Sequence, residues 1–384
     1  MRTHIEGAAR IALKPDVFLN PAQVFNRDLS MLVASVYAAD LPEPVRVLEP
    51  MAATGIRSIR YFKELGRPVH LLANDLSYEA VTEIRSNFQD NGVEAEVRQM
   101  DACDLMYRER SSQWDVIDLD PYGSAASFLD AAVQSVKSGG LICVTSTDMA
   151  TLCGNNPDTC FYKYQSVPSK TSYCHEFALR ILLHQLAATA SRYQKHVVPL
   201  VSVSVDFYVR VFAQVFSSAQ LAKQSLLRTA LVLQCSSCPA YYFQNMGRPG
   251  KNRPTSTLFE APNECLECSG KLTLQGPIYS GKLHDKEFIQ KLLVKVETMG
   301  LHTYEKVKGV LVSMLNELDQ PLSWDYSLLC KFFKVTMMSA TQFRSAFKSL
   351  GFSISNLHTR PNLYKTDATP SQVFHIMKSW VSAI

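Results

Sequence analysis

Charge is scarce in this chain: Asp, Glu, Lys and Arg make up 19% of its 384 residues, against roughly a quarter in an average soluble domain. With 47% hydrophobic residues, it is no unfolded polyelectrolyte, and its length allows two or three domains around a sizeable core. Long apolar runs are missing as well. No stretch of about 18 uncharged apolar residues occurs, so no membrane-spanning helix is expected. The opening Met1-Arg-Thr-His-Ile-Glu6 has no apolar leader core and reads at once as strand. The expectation is a soluble intracellular protein, a domain excised from a longer chain whose targeting signals lie elsewhere. Repeats and low-complexity tracts are absent. So is a full G-x-G-x-x-G fingerprint, which argues against a pyrophosphate cradle.

The charge that is present is uneven. Residues 1–218 carry 20 Lys/Arg against 24 Asp/Glu, residues 219–284 carry 7 against 3, and residues 285–384 carry 12 against 8. A basic second half suits a polyanion, although a solvated lysine-rich face gives the same count. Ten cysteines without a leader argue against a disulfide scaffold.

The most informative stretch is Trp114-Asp-Val-Ile-Asp-Leu-Asp-Pro-Tyr-Gly-Ser124. Val116, Ile117 and Leu119 make a strand body, and Pro121 ends the ladder, which leaves Asp120 at the strand's carboxyl end. In open α/β sheets ligands bind at that edge. A carboxylate there can accept hydrogen bonds from the exocyclic amine of a nucleobase, and Tyr122 can stack on the ring. The plainer reading makes Asp120 a helix cap and Tyr122 packing.

Neighbouring segments follow the same logic. Val45–Arg60 reads as strand, small-residue loop (Ala52, Ala53, Gly55) and helix. A sulfonium cofactor needs only close approach there, so one glycine suffices. A second strand ends at Asp75, twenty residues after Gly55, where an acid would hold a ribose diol. A third strand, 94–98, leads to Asp101 and Ala102, a carboxylate and an amide able to meet an adenine edge. After Asp120 come a helix over 127–136, a Gly139-Gly140 turn and a strand over 141–145. An irregular stretch holds Asn155-Asn-Pro157; then a helix spans 174–193, and strands over 197–205 and 207–216 complete the sheet as a hairpin. Strands alternating with helices give an α/β, mostly parallel sheet. Three acids at strand ends point to a class I, Rossmann-like S-adenosyl-L-methionine (SAM)-dependent methyltransferase, with helix-capping aspartates of another Rossmann-like enzyme as the alternative. Upstream, a strand over 5–13 and a turn bearing Phe18 precede a helix over 25–36. Phe18 is either a staple for that helix or one jaw of a base clamp. Arg27 near the helix start suggests an anionic partner or a surface ion pair.

Cys235-Ser-Ser-Cys238 and Cys265-Leu-Glu-Cys268 form two C-x2-C knuckles 26 residues apart, the spacing logic of a tetrahedral thiolate site for structural Zn2+. Arg248, Lys251 and Arg253 between them would form a basic finger. Beyond, helices over 285–299, 303–318, 325–334 and 339–350, a strand over 352–354 and a terminal helix from 371 suggest a mainly helical, winged-helix-like region, with Arg344 and Lys348 on one face. The expected division is 1–218, 219–284 and 285–384.

Phe18-Leu-Asn-Pro21, Asn26-Arg-Asp28, Ala53-Thr-Gly-Ile-Arg-Ser58, Ala73-Asn-Asp75, Asp118-Leu-Asp-Pro-Tyr-Gly-Ser124, Thr145–Asp148 and the paired knuckles stand in one order. In that order the chain resembles the tRNA (guanine-N2)-dimethyltransferase family. The resemblance implies transfer of one or two methyl groups from SAM to N2 of guanine-26 or guanine-27 of tRNA. Carried over by position, Arg27, Arg57, Asp75, Asp101, Ala102 and Asp120 would contact the cofactor. Asp120, Tyr122 and Phe18 would act on the base, the zinc and C-terminal regions would bind tRNA, and the protein would work as a monomer, away from membranes, in nucleus, nucleolus or cytoplasm. Ser124-Ala125, Leu19 and Pro50-Met51 depart from the family pattern and bear on which guanine is chosen and how many methyls it gains. A silent tRNA-binding paralogue and an N-methyltransferase for another substrate remain as alternatives.

Overall fold

In the computed structural model, which describes residues 2–13, 20 and 23–381, the predicted first strand is a hairpin. β1 (Arg2–Glu6) and β2 (Ala9–Leu13) pair antiparallel, because Gly7 at φ 54° reverses the chain. Helix α1 (Val24–Tyr37) follows. The acid-terminated runs then become neighbours in one sheet: β3 (Val45–Glu49), β4 (Val69–Asp75), β5 (Glu96–Gln99), β6 (Trp114–Leu119) and β7 (Val136–Ser146) are parallel. The hairpin β8 (Lys195–Val205) and β9 (Tyr208–Ser217) closes it, in the order β5-β4-β3-β6-β7-β9-β8, with β9 antiparallel to both its neighbours. Strand order reverses between β3 and β6. The crevice at that switch point is where an open α/β sheet binds its ligand.

Both faces are covered, as a parallel sheet requires. Helices α2 (Ile56–Glu64) and α3 (Tyr78–Asn91) join α1 on one face; α4 (Ala102–Arg108), α5 (Leu129–Ser135) and α8 (Cys174–Arg192) fill the other. Two expectations change. Gly139-Gly140 is no turn: β7 runs through both glycines, and a Cβ on Gly140 would come within 3.0 Å of the Trp114 carbonyl. The glycines therefore sit at a register shift beside Trp114 and Val116, a bulge that only a bare backbone fits. The stretch around Asn155-Asn-Pro157 is not irregular either. It contains α6 (Met149–Leu152) and α7 (Pro157–Tyr164), with Pro157 in a first turn that needs no amide donor.

The second half packs against this core from two sides. Strands Thr229–Cys235, Tyr241–Asn245 and Leu272–Tyr279 form an antiparallel sheet with the first in the middle. Its Val232, Tyr241 and Ile278 share one apolar cluster with α8. Helices Lys286–Met299 and Tyr304–Asn316 lie on the opposite side, sharing Ile289, Leu292 and Leu311 with the core under α1. Helices Tyr326–Phe333 and Ala340–Ser349, with a small sheet centred on Leu363–Thr366, form the winged-helix-like end. Tyr326 and Phe343 stack in it with ring centroids 4.0 Å apart.

A buried latch joins these parts. Lys365 Nζ lies 2.8 Å from Glu317 Oε1 and 3.0 Å from Glu176 Oε1 of α8, and His358 Nδ1 lies 2.7 Å from Glu317 Oε2. His284, Glu317 and His358 offer ligand atoms within 4.8 Å of one another. The Lys365 ammonium already neutralises Glu317, however, and the Ser202 amide donates to His284 Nδ1 at 3.4 Å, so the cluster reads as an ionic latch and not a metal centre. Burial holds His284 well below its ordinary 6.5 and pushes His184 down to about 4. Burial opposes the Glu317 charge, but Lys365 and His358 hold its carboxyl well below the usual range. An unfolded chain therefore binds protons on these histidines below about pH 6.5 that the fold refuses, and below about pH 4.5 the Glu317 contribution goes too. Glu49, raised to about 8 by burial, takes up a proton on folding and works in the opposite direction over the same interval. The latch is therefore tested by difference: His284→Gln should show a flatter Tm profile than wild type between pH 6.5 and pH 4.5, and a variant profile as steep as wild type would contradict the latch.

Candidate active site

The carboxyl ends of β3, β4 and β6 enclose a cavity of about 340 Å3. Asp75, Asp120, Tyr122, Arg27 and Arg57 line it, together with the loop from Met51 to Thr54. Loop and strand are tied by backbone geometry: the Ala52 amide donates to the Asn74 carbonyl at 2.8 Å, and the Ala53 amide to Asp75 Oδ2 at 2.9 Å. Buried Asn74 donates to the carbonyls of Pro50 and Met100 and so holds the ends of β3, β4 and β5 together. Gly55 serves packing instead of ligand approach: it adopts φ 75°, and an added Cβ would meet Phe88 and Ile84 of α3. Asp101 and Ala102 stay apart from the cavity. Asp101 is an exposed cap of α4, accepting from the amides of Cys103 and Asp104 at 2.8 and 3.1 Å, and Ala102 is buried behind it. Phe18 lies outside the described residues.

Asp120 ends β6 as the sequence implies, and Arg57 of α2 fixes its orientation. The Arg57 guanidinium donates to Asp120 Oδ2. It also reaches Asn26 Oδ1 at 2.9 Å and Ser30 Oγ at 2.8 Å, with Glu49 Oε1 3.2 Å away. The second Asp120 oxygen, Oδ1, has no protein partner among the described residues, and the side chain keeps 18% of its surface open. Beyond Asp120 the turn is pinned in turn: the Gly123 amide donates to Thr147 Oγ1 and the Thr147 amide to the Gly123 carbonyl, each at 2.8 Å. Tyr122 projects from this turn with 73% of its surface exposed, outside the packed core.

Behind Asp120 lies a charge network that sequence reasoning missed. Asp118, fully buried, accepts from Arg210 Nη2 through both of its oxygens at 2.8 and 2.9 Å and from the Tyr61 hydroxyl at 2.7 Å. Arg210 continues to Thr145 and Ser30. Three carboxylates (Glu49, Asp118, Asp120) thus share two guanidiniums. Burial pushes the Glu49 carboxyl up to about 8, with the charges of Asp118 and Asp120 adding to it, while Arg210 and Arg57 hold the Asp118 carboxyl below its usual value against burial. Proton uptake by Glu49 balances the set. Arg27 sits in a second buried pair, donating to Glu6 of β1 at 2.6 and 2.7 Å; this is the ion pair, one of the two roles expected of it, buried instead of on the surface. The one signal for Asp118 was its spacing two residues before Asp120, on the same strand face. Arg210 gave none, because its partners lie 65 residues or more away in the chain.

The four thiols converge. Sγ atoms of Cys235, Cys238, Cys265 and Cys268 lie within 4.8 Å of one another, with Cys235–Cys268 and Cys238–Cys265 each at 3.5 Å. Tetrahedral bonds of about 2.3 Å set sulfurs roughly 3.8 Å apart. The Ser237 amide on Cys235 Sγ at 3.3 Å, and the Tyr242 hydroxyl 3.4 Å from Cys265 Sγ, supply the outer hydrogen bonds such sites use. Arg248, Lys251 and Arg253 are exposed on the intervening segment.

Sheet order, switch-point cavity and acid-ended strands define a class I methyltransferase fold. The profile described as "N2,N2-dimethylguanosine tRNA methyltransferase" matches residues 1–378, and the chain belongs to that family. It is 36% identical to the tRNA (guanine(26)-N(2))-dimethyltransferase of Drosophila melanogaster, over 98% of this chain and 75% of the fly protein. It is 38% identical to the human protein of the same name, over 98% and 68%. Among solved structures it is similar to Trm1 from Pyrococcus horikoshii in complex with S-adenosyl-L-methionine, with a TM-score of 0.85, 27% identity and coverage of 98% and 99%.

Replacing Arg210 by Met leaves the buried Asp118 charge with the Tyr61 hydroxyl and a 3.5 Å approach of Arg57 as its remaining partners among the described residues. Urea denaturation should register a loss of about 3–5 kcal/mol, much of it recovered in Arg210→Met/Asp118→Leu.

Proposed function

We propose that this protein transfers methyl groups from SAM to the exocyclic N2 of a guanine in tRNA, at position 26 or its neighbour 27. The observation that carries the reading is the Asp120-Pro121-Tyr122 turn at the switch-point cavity, with one carboxylate oxygen held by Arg57 and the other unpartnered within the described residues.

The donor set suits the cofactor. Asp75, anchored through Oδ2 and Oδ1 to the amides of Ala53 and Ser77, keeps lone pairs for a ribose diol; Asp101 and Ala102, which do not line the cavity, would have to meet the adenine edge from beyond its rim. SAM supplies an electrophilic methyl group on a sulfonium. An exocyclic amine is a poor nucleophile because its lone pair is drawn into the ring. Asp120 Oδ1 would accept an N2–H, orienting the amine for attack, and would take the proton released as the N–C bond forms and the S–CH3 bond breaks, its electron pair staying on the sulfur as a neutral thioether. Arg57 is a positioning residue that holds Asp120 in place; Arg27, paired with Glu6, shapes the cavity wall near the cofactor. The guanine must leave its stack, at a cost of a few kcal/mol, and stacking on Tyr122 and Phe18 offsets this.

In this reading residues 1–218 carry the reaction, while 219–284 and 285–384 hold the RNA, and the protein acts as a monomer. Cys235, Cys238, Cys265 and Cys268 bind Zn2+. With every ligand position taken by thiolate, the ion is structural. The test is methyl transfer from labelled SAM to total tRNA, followed by nucleoside mapping. Wild type should place label on guanine N2, and Asp120→Ala should lose about 10²- to 10⁴-fold in kcat. Label on another atom, or an Asp120→Ala variant as fast as wild type, would overturn the reading.

A further inference from the structure

Away from the cavity, a larger cleft of about 900 Å3 opens between the cysteine knuckle, the segment that leads into α8 and the winged-helix-like end. Three cations reach it from three different parts of the chain: Lys170 before α8, Lys331 from the helix Tyr326–Phe333, and Arg360 from the loop ahead of the last strand. All three are exposed, and none forms an ion pair among the described residues. The one acid on its walls, Asp325, caps its own helix by accepting from the Leu328 amide at 3.1 Å. Serines and threonines make up much of the rest, and Phe332 presents a ring that is 37% exposed.

We propose that this cleft holds a stretch of the RNA sugar-phosphate backbone, an assignment that rests on the RNA substrate of the function proposed above. Cations spread around a cleft match a line of phosphates. A single small anion would want them converging on a point. Hydroxyls donate to phosphate and ribose oxygens, and an exposed ring accepts a stacked base. Lys331 in the last helical turn is favoured there by the helix dipole alone; Lys170 and Arg360 have no such reason.

The cleft is also coupled to the site of reaction. Its wall at Ser169 belongs to the segment that starts at Thr147, beside the Asp120 turn. Gly154, at φ 89°, lets that segment cross itself: a Cβ there would come within 2.5 Å of the Ser169 backbone. Val167 then pairs with Gly276 through two 2.9 Å hydrogen bonds and fixes the wall to the knuckle sheet. RNA seated in the cleft is thereby held at a set distance from Asp120.

The test measures tRNA binding against KCl concentration for the full chain and for K170A/K331A/R360A, with R108A/R110A/R192A as a control that removes three exposed arginines of residues 1–218, outside the regions proposed to hold RNA. The cleft variant should flatten the slope of log K against log salt by about 2 to 3 and weaken binding at least tenfold at 100 mM salt. It should also raise KM for tRNA, with SAM affinity, Tm and kcat at saturating tRNA unchanged. An unchanged slope, or an equal loss in the control, would overturn the cleft assignment even if tRNA is methylated normally. If wild type binds tRNA with a slope that the cleft variant flattens, yet methylates no guanine, the cleft stands and the proposed reaction falls. Absence of any tRNA binding by wild type would overturn the cleft as well.

Discussion

The structure depends on an electrostatic constraint at the carboxyl end of its central sheet. Glu49, Asp118 and Asp120 sit side by side there, and burying three carboxylates in a protein interior is tolerable only if cations and hydrogen-bond donors come with them. Arg57 and Arg210 meet that need from opposite directions, one from the first helix after β3 and one from the closing hairpin. The cavity is therefore not a gap left over by packing. Its floor is a charge-balanced plate that presents the outer oxygen of Asp120 as an accessible acceptor. The orientation of that oxygen is inherited from groups as distant in sequence as Asn26, Ser30 and Arg210.

The same constraint explains why the accessory parts pack so closely on the catalytic sheet. Asp28 of α1 accepts from the amide and hydroxyl of Thr303 at 2.8 and 2.7 Å, and its other oxygen lies 2.8 Å from Arg60. Glu176 of α8 pairs with Lys365 of the winged-helix-like end. Ionic contacts buried between modules fix their relative position more strictly than apolar contact alone, because a small slip strands a charge. For a protein that must bring one base of a large folded RNA to one carboxylate, a rigid distance between modules is useful.

Much of this was legible in the sequence because it is local. The strand ending at Asp120 needs only β-branched residues followed by a proline. Asp75 follows from a strand boundary, and the knuckles follow from cysteine spacing. The four late helices fell within two residues of their periodicity and caps. What escaped was non-local. Arg57 entered only through the family resemblance, as a cofactor contact, and its pairing with Asp120 depends on how α2 lies over β6. Arg210 is one charged residue in the run Tyr208–Ser217, and only the antiparallel return of β9 beside β7 carries it to Asp118. Gly139-Gly140 misled because a bulge and a turn ask for the same residue.

The central claim is that Arg57 acts on the reaction by orienting Asp120, and a double-mutant cycle on kcat at saturating tRNA and SAM tests it most directly. Arg57→Gln, Asp120→Asn and the double variant would be compared with wild type, with folding of each checked by its melting curve. The account predicts strong non-additivity, roughly 1–3 kcal/mol of coupling, so that the double variant is about as slow as Asp120→Asn alone. Losses that simply add, with all four proteins folded, would mean that Arg57 and Asp120 act independently and would contradict it.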